Sequence, residues 1–157
     1  MLSIKRHDQR LRACSRYKGN YMSNAHGWAT GPAAALSAHT LGIRPAPAEE
    51  GPRRFVVAPQ LGGLRFCQGT VALLPNAPVF VRWNATSEGM SILVDSTAFP
   101  GSFGRLVLPV PAGREVESVS IDGEEVVEGR FALENGRVAL GAIDSSASLT
   151  VSVSYRQ

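Results

Sequence analysis

The chain has 157 residues, 44% of them hydrophobic and 7% aromatic, which fits one globular domain with a core of its own. Its net charge is +3, and no apolar run approaches the length of a transmembrane helix. The basic balance comes from the first eighteen residues, which hold six Lys or Arg against Asp8, whereas the remainder is slightly acidic. A nucleic-acid binder carries its basic residues on a folded face. The composition therefore predicts neither a nucleic-acid nor a membrane partner.

Residues 1–22 form a leader whose basic composition differs from that of the rest of the chain. They have no apolar stretch of the kind found in secretory signals. They are rich in Arg and poor in acids, which is the composition of a mitochondrial presequence. The alternative that we favour is a truncated start, in which the true upstream sequence is missing and the leader is disordered. The localisation of the protein stays open between these alternatives.

Residues 23–44 contain a short helix. Thr30-Gly31-Pro32 is a helix start, because Thr can cap a helix and Pro is tolerated in the first turn. The alanine-rich stretch that follows favours a helix from Pro32 to Leu41, with Leu36 and Leu41 near one face. Gly42 supplies a left-handed stop and Pro45 prevents resumption. About ten residues of helix are marginal alone in water, so a packing partner is required.

Residues 45–54 read as a Pro-rich linker, in which Glu49 and Glu50 are solvated. From Phe55 the pattern changes to short strands. Hydrophobic alternation places Val79, Val81 and Trp83 on one face of a strand, and Leu149, Val151, Val153 and Tyr155 on one face of the last strand. Asp122-Gly123 and Asn135-Gly136 are type I′ hairpin signals. About eight strands predict a mainly β fold, an antiparallel β-sandwich over residues 55–157.

The segments HGWATGPAAALSAHTLGIRP, RRFVVAPQLGGLRFCQGTV and VFVRW follow one another between His26 and Trp83. In this order they resemble the C-terminal end of the α-L-rhamnosidases of glycoside hydrolase family 78. In that family a six-hairpin (α/α) toroid carries catalysis, and its last helix leads into a C-terminal β-sandwich. The resemblance implies that residues 23–44 hold the last toroid helix. It also implies that the partners are the upstream catalytic toroid and a rhamnosyl-containing carbohydrate.

The resemblance further implies that His26 and Trp28 belong to the substrate-binding site. An aromatic ring can pack on the apolar side of a pyranose, and a histidine can hydrogen-bond its hydroxyls. On the residues alone, Trp28 is better explained as a core residue at the helix end, and His26 as a surface residue.

No catalytic residue is predicted in the chain. The family inverts the anomeric configuration, which requires two carboxyl groups on opposite sides of the scissile bond. The resemblance places both on the toroid, and before Arg54 this chain offers only Asp8, Glu49 and Glu50. Twelve helices and their loops need on the order of 190 residues, far more than precede the strands. Cys14, Cys67 and the three histidines lack metal-type spacing, so no metal site or cofactor is predicted.

These observations predict a C-terminal fragment of a rhamnosidase-like glycoside hydrolase, inactive alone, whose sandwich braces the toroid. Without its toroid neighbours, the leader and the helix are expected to be poorly packed. The competing hypothesis is a freestanding carbohydrate-binding β-sandwich, which requires exposed aromatic side chains in a row. It predicts that Phe80, Phe99 and Phe103 share one solvent-exposed face.

Overall fold

In a computed structural model, the protein is described over residues 31–127, 129–144 and 147–157. This part of the chain is mainly β, which confirms the predicted fold class. It contains eleven strands rather than the eight expected, because several are only two to four residues long. They are β1 (Ile43–Pro45), β2 (Arg54–Val57), β3 (Phe66–Leu74), β4 (Ala77–Ala85), β5 (Gly89–Asp95), β6 (Phe103–Pro109), β7 (Glu115–Ile121), β8 (Glu124–Glu125), β9 (Phe131–Glu134), β10 (Arg137–Asp144) and β11 (Leu149–Arg156).

The strands form two sheets that enclose one core. Sheet A has the order β1-β2-β6-β10-β9, and sheet B has the order β3-β4-β5-β11-β7-β8. Side chains from both sheets make up a single hydrophobic cluster, including Trp83 and Ile92 of sheet B and Leu106 and Val138 of sheet A. All strand pairs are antiparallel among the described residues, except β2 and β6, which run parallel.

The predicted alternation is found in β4, where Val79, Val81 and Trp83 are fully buried and the residues between them are not. In β11 the buried residues are Val151, Val153 and Tyr155, while Leu149 is half-buried at the strand end. These two strands therefore each bury one face and leave the other more exposed, as a two-layer sandwich requires.

Both predicted hairpin turns are confirmed. The φ angles of Asp122 and Gly123 are 50° and 87°, and those of Asn135 and Gly136 are 50° and 69°. Positive φ at both central residues defines the type I′ turn, whose twist matches that of the flanking strands. Ile121 pairs with Glu124 across the first turn. Glu134 pairs with Arg137 across the second.

The Pro-rich segment is held by sheet A at both ends. β1 pairs antiparallel with β2, so that Ile43 lies opposite Val57 and Pro45 opposite Phe55. Pro45 is tolerated because β1 is an edge strand, where one side of the backbone has no ladder partner. A single 3₁₀ turn, Ala48–Glu50, lies in the connecting loop, and Glu49 and Glu50 are exposed there as expected.

The helix consists of an α-helical turn, Gly31–Ala35, and a π-helical segment, Leu36–Leu41, which together we call the junction helix. It ends at Gly42 as predicted: φ at Gly42 is 91°, and its N–H donates to the carbonyl of Ser37 at 3.1 Å. The two predicted apolar positions differ, because Leu41 is buried whereas Leu36 is 58% exposed. Leu41 packs against the sandwich at Gly69 of β3, whereas Leu36 lies at the exposed beginning of the helix.

Candidate functional site

The predicted substrate-binding residues, His26 and Trp28, lie outside the described residues, as does Asp8. The described part of the chain shows the element that follows them directly, the junction helix, and the way in which it is attached to the sandwich. This junction is the candidate functional site.

A hydrogen bond from the sandwich core fixes the C-terminal end of the junction helix. The indole Nε1 of Trp83 donates to the carbonyl oxygen of Thr40 at 3.1 Å. Trp83 is fully buried in β4, so its single polar atom needs a partner inside the protein. The last turn of a helix has carbonyl groups without intrahelical partners. The contact therefore satisfies one polar group on each side and links residues 43 positions apart.

Leu41 packs into the space left by a glycine of the edge strand β3. A Cβ atom placed at Gly69 would lie 3.1 Å from Cδ2 of Leu41. Gly69 lies opposite Val81, on the inner face of sheet B. The absence of a side chain at position 69 thus lets the end of the helix approach the sheet closely. The expectation that the helix is poorly packed is wrong for this end, because the sandwich itself provides the partner.

Gly42 lies against the backbone of the loop after β2. A Cβ atom at Gly42 would lie 2.4 Å from the nitrogen of Pro59, which no side chain could accommodate. Two hydrogen bonds flank this contact: the N–H of Ala58 donates to the carbonyl of Gly42 at 2.9 Å, and that of Gln60 to the carbonyl of His39 at 2.8 Å. Helix end and loop therefore form one hydrogen-bonded unit.

The side chain of Asp95 stabilises the turn that follows β5. Asp95 accepts hydrogen bonds from the hydroxyl of Thr97 at 2.7 Å and from its N–H at 3.0 Å. These bonds, that from the hydroxyl first, lower the pKa of Asp95 below its usual value. A general acid needs the opposite shift. Within the described ranges, no group of three or more His, Cys, Asp or Glu side chains could hold a metal ion. Cys67 is half-buried with a free thiol.

The aromatic row that a freestanding carbohydrate-binding module requires is not formed. Phe99 is 1% exposed and stacks on Phe55 with 6.4 Å between ring centroids. Phe80 lies in sheet B and is half-buried, whereas Phe103 lies in sheet A and is exposed. The three rings therefore do not share a face. The burial of Phe99 was missed because it lies in a loop, where alternation gives no signal.

The class that these features define is a β-sandwich domain with a helix fastened to its core. No protein-family model and no curated protein sequence matches the chain. Among solved structures, it resembles the α-L-rhamnosidase from Dictyoglumus thermophilum, with a TM-score of 0.61 at 16% identity. The match covers 77% of this chain and 13% of that enzyme, so this chain spans only a small part of the enzyme's length.

The α-L-rhamnosidase from Streptomyces avermitilis, solved in complex with L-rhamnose, has a TM-score of 0.48 at 21% identity. That match covers 75% of this chain and 10% of the enzyme. The match to the Dictyoglumus thermophilum enzyme, with its TM-score of 0.61, confirms at the level of the fold the resemblance that the sequence indicated. No helix in the described part of the chain is long and apolar enough to cross a membrane.

Proposed function

We propose that this protein is the C-terminal part of a rhamnosidase-like glycoside hydrolase, in which residues 23–44 carry the last helix of a catalytic toroid. Residues 45–54 connect that helix to an accessory β-sandwich, residues 55–157. The observation that carries this proposal is the hydrogen bond from Trp83 to Thr40. This bond supports the view that the helix and the sandwich move as one rigid unit. The fold likeness to a rhamnosidase supports the proposed class of enzyme.

The accessory role is to brace the toroid. The first residues of the junction helix, Gly31 to Leu36, are exposed, and its last residue is buried in the sandwich. The C-terminal end of the helix is thus fixed by the sandwich, while its N-terminal turns are exposed. Those turns are therefore available to pack among neighbouring helices of a toroid. The exposed Leu36 would lie in such a contact, where burying its side chain contributes roughly 1.5–3 kcal/mol. The sandwich then fixes the direction in which the helix leaves the toroid.

His26 and Trp28 precede the junction helix by a few residues and are proposed to line the sugar-binding site of the complete enzyme. A rhamnosyl-containing carbohydrate is the proposed substrate there. One wall of a cleft cannot bury most of a ligand, so these two residues alone are expected to bind rhamnose weakly.

The chain by itself is proposed to be inactive. Loss of a general acid or base typically lowers a rate about 10²–10⁴-fold, and loss of substrate orientation can remove roughly 7–11 kcal/mol of barrier reduction. The test is hydrolysis of an aryl α-L-rhamnoside by the purified chain, with the His26→Ala variant as a control for contaminating enzyme. No turnover is expected. Turnover that survives purification and disappears in His26→Ala would overturn the proposal.

A further inference from the structure

Three arginines and a phenylalanine lie together on the outer face of sheet A. Arg44 of β1 and Arg105 of β6 lie opposite Val56 of β2 on either side, and Arg54 lies opposite Phe103. Their neighbours along the strands point into the core, so these side chains point out of it. We call Arg44, Arg54, Arg105 and Phe103 the arginine patch. The patch could not be predicted from the sequence pattern, because its four residues come from three separate strands.

The patch presents its charge to solvent. All four residues are exposed, and none of the three arginines forms an ion pair within the described part of the chain. The ion pair found there, between Arg156 and Glu115, lies on sheet B. Asp144 of β10 lies opposite Phe103 at the edge of the patch and already takes part in another interaction. Positive charge is thus concentrated locally on a body that is slightly acidic outside the leader.

The geometry suits a flat ligand with regularly spaced anions. Adjacent strands are about 4.8 Å apart, which places Arg44 and Arg105, two strands apart, about 10 Å from each other across the sheet. The guanidinium of Arg54 lies 5.5 Å from the ring centroid of Phe103, which holds the two side chains side by side. Val56, between the arginines, is only 3% exposed. Aliphatic stems of neighbouring arginines can cover such a side chain while their charged ends reach solvent.

We propose that the arginine patch binds a carboxylated polysaccharide, a polymer of uronic acid residues. Guanidinium groups bind planar carboxylates through two parallel hydrogen bonds. Phe103, 41% exposed, offers an apolar surface to the C–H side of a pyranose ring. A polyuronate combines both features in a repeating form. The choice of a polyuronate over other polyanions rests on the proposed function, because a glycoside hydrolase encounters its substrate among polysaccharides.

The test is the affinity of the purified full chain for polygalacturonate, measured by affinity electrophoresis at low and raised salt. The patch variant is Arg44→Gln/Arg105→Gln. The matched control is Arg82→Gln/Arg114→Gln, which removes the same charge elsewhere. Arg82 lies in β4 of sheet B, and Arg114 lies in the turn before β7. Because every variant keeps the basic leader, a difference between the two reports the patch alone. Circular dichroism confirms that both are folded.

The patch variant is expected to lose affinity at least about tenfold, because it lacks two guanidinium groups that form charge-assisted hydrogen bonds to carboxylates, whereas the control keeps its affinity. Raised salt should weaken binding by the wild type. A Phe103→Ala variant is expected to lose part of the affinity, while Phe66→Ala, an exposed phenylalanine of sheet B, keeps it.

The proposal is overturned by no binding, by equal losses in the patch and control variants, or by tighter binding of single-stranded DNA than of polygalacturonate. None of these results bears on whether the chain belongs to a rhamnosidase-like enzyme. Conversely, polyuronate binding that depends on the patch would stand even if the natural protein hydrolysed no rhamnoside.

Discussion

The buried indole of Trp83 donates a 3.1 Å hydrogen bond to the carbonyl oxygen of Thr40, and so attaches the end of the junction helix to the core of the sandwich. Leu41, the next residue, fills the space above Gly69. Position 42 then allows only glycine, because of its positive φ and its contact with Pro59. Three consecutive residues of the helix end thus each make one specific contact with the β domain.

Replacing Trp83 by phenylalanine should detach the helix end. The Thr40 carbonyl would lose its partner, which costs about 1–3 kcal/mol, and the smaller ring would leave space in the core. Urea unfolding should show the loss of stability. Amide hydrogen exchange at residues 37–42 should become faster than global unfolding alone allows, because the helix end opens locally.

Tyr155→Phe is the matched control for that experiment. The Tyr155 hydroxyl donates to the carbonyl of Pro109 at 2.9 Å, which joins the two sheets away from the helix. Its loss should lower global stability without selective acceleration at residues 37–42. Equal acceleration in both variants would show that the Trp83 contact has no special role in holding the helix.

Gly42→Ala should be strongly destabilising, by more than about 2 kcal/mol. The positive φ alone costs about 1–2 kcal/mol for a residue with a Cβ, and the Cβ would also collide with the Pro59 backbone. Gly141→Ala is the control, since a Cβ there meets no described atom within 4 Å and φ is not positive. Denaturant midpoints that shift equally in the two variants would show that the close approach at Gly42 is not needed.

The stability of the sandwich should fall at alkaline pH through Tyr155. Burial raises its pKa to about 12, whereas a tyrosine in an unfolded chain titrates near 10. The folded state therefore keeps the proton longer than the unfolded state. This contribution is complete below about pH 10 and is lost as the pH rises to about 12.

The Tyr155→Phe variant should be less stable at neutral pH, with a flatter decline of unfolding free energy over the same pH window. Denaturation curves at several pH values measure both effects. An unchanged slope in the variant would mean that Tyr155 is not the group responsible.

Local rules predicted those features of the fold that depend on few residues. Asp-Gly and Asn-Gly fixed two hairpins because a type I′ turn demands positive φ at both positions. Alternation identified the buried face of β4 because one side of that strand faces the core throughout. Gly42 was recognised as the helix end for the same local reason.

The features that were missed depend on partners far away in sequence. β1 has three residues, one of them proline, and is a strand only because β2 supplies its hydrogen bonds. The partner of Trp83 lies 43 residues away, so alternation placed the ring correctly but could not supply the acceptor. The arginine patch was hidden for a related reason, because net charge averages over the chain and its members meet only through strand pairing.

The most direct test of the proposed function is the size and activity of the natural gene product. Antibodies against residues 55–157 would capture it from its source cells, and mass spectrometry and an aryl α-L-rhamnoside assay would follow. We expect a polypeptide that also contains an (α/α) toroid and hydrolyses the rhamnoside. A mature product whose N-terminus lies near the junction helix, and which neither contains a toroid nor forms a complex with one, would contradict the proposal.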